Sequence, residues 1–231
     1  MRAMILAAGQ GNRMGELTVH TPKPLLRVNG HYLIEYAIAN IKRAGIHDIV
    51  INVSYHAEQI KTALGNGQRY GVSIRYSEEK ERLETGGGIF QALPLLGEGP
   101  FLVMSSDIIT DYPLQKLFGY AESLAHLLLV ENPPYHPHGD FGLRDDYIDA
   151  NARPTYTFAN IGIYSPELFH GFSPGHFRLT QALNPAIAAG CVTGEVYQGM
   201  WHNIGTPQDL HRAREDSNLR PLASETNTLS S

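Results

Sequence analysis

The chain has 231 residues, 42% of them hydrophobic and 18% charged, with a formal net charge of −5. That composition suits a globular protein with a substantial core, built as one large α/β domain with or without a small appendage. The absence of a Lys or Arg block argues against a nucleic-acid groove, and the single cysteine, Cys191, excludes an internal disulfide and a cysteine-based zinc site and favours a reducing compartment.

Met4-Ile5-Leu6-Ala7 is a short continuous apolar run, the pattern of a strand buried on both faces. The opening mimics a signal peptide only briefly, because the run is short and Asn12-Arg13 follow at once, and no stretch approaches a membrane span. A glycine-rich loop and the rigid Thr21-Pro22-Lys23-Pro24 come next. Helical spacing predicts a helix from Tyr32 to Ala44, ended by Gly45. Strands are expected at Asp48–Val53, Val72–Tyr76, Phe101–Met104 and His126–Val130, and helices at His56–Leu64, Ile89–Leu96 and Pro113–Leu124. Beyond residue 130 a Pro-rich loop leads to strand-like pieces around Phe141-Gly142-Leu143 and Thr155–Tyr164. A helix at Leu179–Ala189, a strand at Met200–Ile204 and a closing helix at Pro207–Glu215 follow; the polar tail Ser217–Ser231 reads as disordered.

This alternation predicts an α/β fold, a Rossmann-like, mostly parallel sheet sandwiched by helices. A single domain over 1–216 would divide into a core at 1–130, a smaller β portion at 131–206 and the closing helix at 207–216. Ligands of such sheets bind outside the carboxyl ends of the strands, where Gly9, Asp107 and Gly86-Gly87-Gly88 all fall.

In the opening loop Gly9, Gly11 and Gly15 permit positive φ and close approach of a phosphate to backbone N–H groups, and Arg13 offers a forked cation. The loop is neither a dinucleotide fingerprint, since Met14 takes the third glycine's place, nor a P-loop, and alone it is equally a structural turn. Prolines on both sides of Lys23 deny it a helix interior and make it a positioned cation, suited to charge building on an α-phosphate. Asp107, directly after an apolar strand, suits Mg²⁺ or a helix cap. Three consecutive glycines imply close contact or a bare loop. The run Glu78-Glu79-Lys80-Glu81-Arg82 reads as a solvated loop or a lid, and His136 and His138 as loop residues rather than a metal pair.

Met4–Met14 followed by Thr21-Pro22-Lys23-Pro24-Leu25 resembles the signature of the sugar-1-phosphate nucleotidyltransferases, with a GT-A-like fold, and the likeness runs from Arg2 to about Leu210. Gly67–Gly71, Leu83–Ile89, Ala92–Gly97 and His138–Phe141 are most similar to the N-acetylmuramate α-1-phosphate uridylyltransferases of bacterial cell-wall (peptidoglycan) recycling; mannose-1-phosphate guanylyltransferases share much of this. The resemblance implies a cytoplasmic enzyme, monomeric or a small homo-oligomer, with a nucleoside triphosphate and a sugar 1-phosphate as partners, Mg²⁺ as cofactor, and no nucleic acid or membrane. It implies that Ala8, Gly9, Gly11, Asn12, Arg13 and Lys23 bind the triphosphate, with Lys23 and Arg13 catalytic. Thr85, Gly86 and Gly87 would lie beside the base and sugar, and Ser105, Asp140 and Asn160 at the sugar phosphate. Asp140 reads equally as an Asx-turn residue.

The metal would sit at Asp107 and Asn203. Ser105-Ser106-Asp107 replaces the family's Asn-Gly-Asp, and Asn203 stands where relatives carry a second metal-binding aspartate; an amide offers a carbonyl oxygen but no charge, which predicts weaker Mg²⁺ binding. Asn203 therefore keeps open a second reading, a nucleotide-sugar binding protein of weak turnover. A glycosyltransferase is the third, disfavoured because Asp107 and Asp111 form no Asp-x-Asp motif.

Overall fold

The computed structural model describes residues 1–216 together with Leu219 and Leu222. β1 (Arg2–Leu6) leads through the glycine loop and two 3-10 turns, Asn12–Thr18 and Lys23–Leu25, to a hairpin of β2 (Arg27–Val28) and β3 (His31–Tyr32). Next come α1 (Leu33–Arg43), β4 (Asp48–Val53), α2 (Ala57–Leu64), β5 (Ser73–Glu78), α3 (Glu84–Leu96) and β6 (Phe101–Ser105). α1 forms because Leu33, Ile34, Ala37, Ile38 and Ile41 recur on one face and are buried. Glu35 Oε2 accepts the Tyr32 N–H at 2.9 Å at its start, and Gly45, at φ 83°, stops it.

The second half holds β7 (Ile108–Thr110), β8 (Ala125–Val130), β9 (Phe141–Arg144), β10 (Tyr147–Asp149) and β11 (Thr155–Tyr164). It ends with α4 (Leu179–Ala188), β12 (Val192–Tyr197), β13 (Trp201–Asn203) and α5 (Pro207–Glu215). Nine strands make one sheet in the order β5-β4-β1-β6-β11-β8-β12-β10-β9. All but β10 and β11 run in one sense, so the sheet is mostly parallel, as expected. β9 also pairs with the start of β11, curling the far end of the sheet back on itself.

Helices cover both faces. Ile34, Ile38, Ile41 and Ile60 of α1 and α2 pack with Ile5, Ile49 and Ile51 on one side, and Ile89, Ala92 and Leu183 of α3 and α4 with Met4, Val50 and Val103 on the other. A third cluster, including Met14, Leu33, Tyr36, Ile204 and Leu210, fastens α5 to the turn after the glycine loop.

The segment expected as a helix from Pro113 to Leu124 is a 3-10 run, Leu114–Tyr120; only Leu114 and Leu117 are buried, a spacing of three that suits the tighter helix. The helix expected after the triple glycine begins before it and contains it. The sequence pattern does not announce β10 or β12, since Val192-Thr193-Gly194-Glu195-Val196-Tyr197 mixes polar residues into a strand whose glycine accommodates Ile148. Apart from Leu219 and Leu222, the tail expected to be disordered lies outside the described residues.

Candidate active site

The carboxyl ends of β1, β4, β5 and β6 open into a cavity of about 780 Å³, lined by the glycine loop from Leu6 to Arg13, by Lys23 and Asp107, and by the segments following β4 and β5. The loop is built to approach these groups closely. Gly11 sits at φ 69°, and a Cβ there would lie 3.1 Å from Thr18 Cγ2 and 3.2 Å from Lys23 Cβ, so glycine lets loop and lysine meet. Thr18 Oγ1 donates to the Gly11 carbonyl at 3.1 Å, and Met14, buried in the third cluster, donates its N–H to the same carbonyl at 2.8 Å. Gly15 also has positive φ, whereas Gly9 does not, and a Cβ at Gly9 would meet nothing within 4 Å.

Lys23 occupies the short turn between Pro22 and Pro24, and its ammonium pairs with the Asp107 carboxylate at a largely buried position. Asp107 is set by the turn from β6 to β7: Ser106 N–H donates to the Leu6 carbonyl at 3.0 Å, and Ile204 N–H to the Asp107 carbonyl at 3.0 Å. β13 pairs with β7 so that Asn203 faces Ile108, which brings Asn203 to the strand end beside Asp107. Asp107 in its turn and Asn203 at the end of β13 are thus neighbours along the backbone, Asp107 lining the cavity and Asn203 standing behind that lining. No cluster of three or more His, Cys, Asp or Glu among the described residues could hold a metal. Hard oxygen donors with one carboxylate nevertheless fit Mg²⁺, which takes most of its shell from substrate phosphates and water.

Arg13 lines the cavity with its guanidinium against Gly205, where a Cβ would come within 3.4 Å. Tyr135, from the Pro-rich loop, reaches this end, its hydroxyl close enough to the Asn203 side chain to feel it electrostatically. Burial and the Asp209 carboxylate raise its pKa, against the effect of Asn203 and Arg13. Sequence reasoning passed over Tyr135, since a loop tyrosine carries no signal of what it will touch.

Ala8, Gly9, Gly11, Asn12, Arg13, Lys23, Thr85, Ser105 and Asp107 all line the cavity. Gly86 and Gly87 are buried inside α3, and their close contacts are with the protein itself. A Cβ on Gly86 would lie 2.5 Å from the Phe177 ring, and one on Gly87 would lie 2.1 Å from the Gly175 carbonyl oxygen. Continuing the register of Ile161 with Met104 sets Asn160 beside Ser105. Asn160 takes a left-handed φ of 58° at the irregularity between Phe158 and Gly162, a conformation asparagine tolerates better than most residues. Asp140 stands apart from the cavity lining: its Oδ2 accepts the Phe158 N–H at 2.8 Å and its Oδ1 faces His136 Nε2 at 3.1 Å, tying the Pro-rich loop to β11.

Further cavity residues, among them Asn52, Ser54 and Tyr55, escaped the sequence reading. Asn52 is buried near the end of β4, its Oδ1 accepting the Ala7 N–H at 2.8 Å and its Nδ2 donating to Glu79 Oε1 at 2.7 Å. Its signal was a polar residue inside an apolar strand. The run Glu78–Arg82, expected as a solvated loop or a lid, lines the cavity; within it Glu79 departs from the solvated reading, for it is only 5% exposed and packs beneath Gly88. Burial pushes its carboxyl above the usual range, partly offset by hydrogen bonds from Asn52 and the Leu83 backbone.

The family model "Nucleotidyl transferase" matches residues 2–218. The chain is 46% identical over 224 residues to the N-acetylmuramate α-1-phosphate uridylyltransferase of Neisseria meningitidis serogroup B, covering 93% of this chain and 97% of that one. It is 32% identical to the enzyme of the same name from Caulobacter vibrioides, over 89% and 92% of the two chains. Among solved structures, a Bacillus anthracis protein assigned as a glucose-1-phosphate thymidylyltransferase and crystallised with sucrose shares the fold, with a TM-score of 0.83 at 24% identity, over 93% and 94% of the two chains. The chain belongs to the nucleotidyl transferase family and is a sugar-1-phosphate nucleotidyltransferase.

Proposed function

We propose that the chain transfers a uridylyl group from UTP to N-acetylmuramate 1-phosphate, giving the UDP-sugar and pyrophosphate. Identity of 46% across nearly the whole of both chains with the Neisseria enzyme carries the choice of base and sugar. The meeting of the glycine loop, Arg13, Lys23 and Asp107 in one cavity supports the reaction type. On this reading the chain works in the cytoplasm, in peptidoglycan recycling.

A phosphate monoester has a second pKa of about 6 and is already an anion at neutral pH. Its oxygen attacks the α-phosphorus with no strong general base. A new P–O bond forms as the bond from the α-phosphorus to the bridging oxygen breaks, and pyrophosphate leaves with that electron pair. Backbone N–H groups from Ala8 to Asn12 and the Arg13 guanidinium hold the triphosphate. Lys23 leaves Asp107 for the α-phosphate oxygens, where charge accumulates. Asp107 and Asn203 are the residues to hold Mg²⁺, which when bound neutralises phosphate charge. Thr85 borders the base side of the cavity, while Gly86 and Gly87 shape the start of α3. Ser105 and Asn160 face the sugar phosphate, and Asp140 acts through the loop it anchors.

The test is pyrophosphate release from UTP, GTP, CTP and dTTP paired with the 1-phosphates of N-acetylmuramate, mannose, glucose and heptose. Highest kcat/KM is expected for UTP with N-acetylmuramate 1-phosphate. A maximum for GTP with mannose 1-phosphate overturns the assignment, and binding without release from any pair favours the weak-turnover reading that Asn203 motivates.

A further inference from the structure

The cavity has two unlike sides. Arg13, Lys23 and Asp107 stand with β1 and β6, while the residues after β4 and β5, among them Ser54, Tyr55 and Glu79, line the opposite side. A nucleotide with its phosphates on the cationic side extends its base toward β4 and β5. There Tyr55 lines the cavity while remaining 48% exposed.

One face of that ring is already covered. The His56 ring lies 3.9 Å from it, centroid to centroid, at an interplanar angle of 57°. His56 is itself held firmly in place. It adopts a left-handed conformation, φ 57° and ψ 31°, that is disfavoured for residues with a Cβ and persists where the surroundings impose it. Its Nε2 lies 3.3 Å from the Val19 carbonyl oxygen and its Nδ1 lies 3.2 Å from Gln59 Nε2; one neutral tautomer, donating from Nε2, satisfies both. Ala57 N–H closes the turn onto the Ser54 carbonyl at 3.0 Å, and Ser54 Oγ ties it to the Glu79 carbonyl at 3.0 Å. An aromatic ring therefore lines the cavity on the β4–β5 side, packed against a held histidine and about half exposed.

We infer that Tyr55 is the stacking platform for the nucleobase, with His56 as its backing, and that it adds affinity for nucleotides without choosing among bases. Every base presents a π-face, so a stacking surface of this kind tolerates any of them. The inference rests on the nucleotidyl-transfer reading of the same cavity.

Calorimetric titration with UTP, GTP and inorganic pyrophosphate, each with Mg²⁺ and without sugar phosphate, tests it on the wild type, Tyr55→Ala and Tyr55→Phe. Tyr55→Ala is expected to weaken UTP about tenfold, and GTP at least as much, as the loss of one base–aromatic stack implies. Pyrophosphate, which has no base, keeps its wild-type affinity, and Tyr55→Phe restores nucleotide binding. In turnover KM for UTP rises while kcat holds. Unchanged UTP affinity in Tyr55→Ala overturns the inference, as does an equal loss for pyrophosphate, or a Tyr55→Phe protein as weak as the alanine variant. A wild-type chain that binds none of the nucleotides overturns the nucleotidyl-transfer reading, and this inference with it.

Discussion

Gly87→Ala separates packing from ligand contact in the triple glycine. A Gly→Ala exchange inside an ordinary helix stabilises by about 1 kcal/mol. At Gly87 the new methyl would lie 2.1 Å from the Gly175 carbonyl oxygen and 3.1 Å from Leu83 Cβ. Neither neighbour is the end of a flexible side chain, so the backbone around Gly175 must move. Overpacking of this sort costs about 1–3 kcal/mol. The displacement also strains the hydrogen bond from Gly87 N–H to the Phe177 carbonyl, now 3.0 Å, and a lost hydrogen bond costs about 1 kcal/mol more. The net is a destabilisation of about 2 kcal/mol, which for a chain of this size lowers Tm by roughly 6 °C. Thermal unfolding followed by circular dichroism measures it, with KM for UTP determined alongside. An unchanged or higher Tm would refute the packing account, and a raised KM at unchanged Tm would return Gly87 to the ligand.

Lys23→Ala is expected to lower kcat by about 10²–10³, the usual loss when one group stabilising transition-state charge is removed; pyrophosphate release reads it, and wild-type turnover would remove Lys23 from the mechanism. Asn203→Asp adds a charge beside Asp107, worth at least about 1 kcal/mol toward a cation about 4 Å away even at the dielectric of water. Mn²⁺ binding followed by electron paramagnetic resonance should tighten at least about fivefold, and unchanged affinity would locate the metal elsewhere. The His126 imidazole, 3.8 Å from Glu195, and then the Tyr112 hydroxyl hold the Glu195 carboxyl below its usual range, against the opposing effect of burial. A depressed carboxyl stabilises the fold above its unfolded pKa of about 4.3 and loses that contribution as pH falls through the folded value. Glu195→Gln should therefore cost about 1–2 kcal/mol at pH 7. The gap between the two melting temperatures should narrow below about pH 4, whereas a constant gap would show that the charge is not what matters.

The parallel core was readable because its strands are continuous apolar runs; Ala3–Ile5, Ile49–Ile51 and Phe101–Met104 are buried on both faces and need no partner to declare themselves. β12 was hidden because its polar residues are satisfied by distant ones, Thr193 by His126 and Glu195 by Tyr112, so periodicity mistook a paired strand for a solvated one. The same difficulty governs the site. Lys23 was legible because flanking prolines restrict it locally, whatever the rest of the chain does. Asn52 stands in an apolar strand and so announces a buried polar group, but which group it would satisfy depends on the register that sets it opposite Leu6, next to the Ala7 N–H it bonds. The triple glycine shows the limit most clearly. A string of glycines has one composition whether it approaches a ring, a phosphate or another stretch of backbone. Only the return of the chain at Gly175–Phe177 decides among them, and nothing near residue 87 encodes it. Local chemistry therefore identifies residues whose constraint is covalent, while those constrained by packing need the fold before their role can be read.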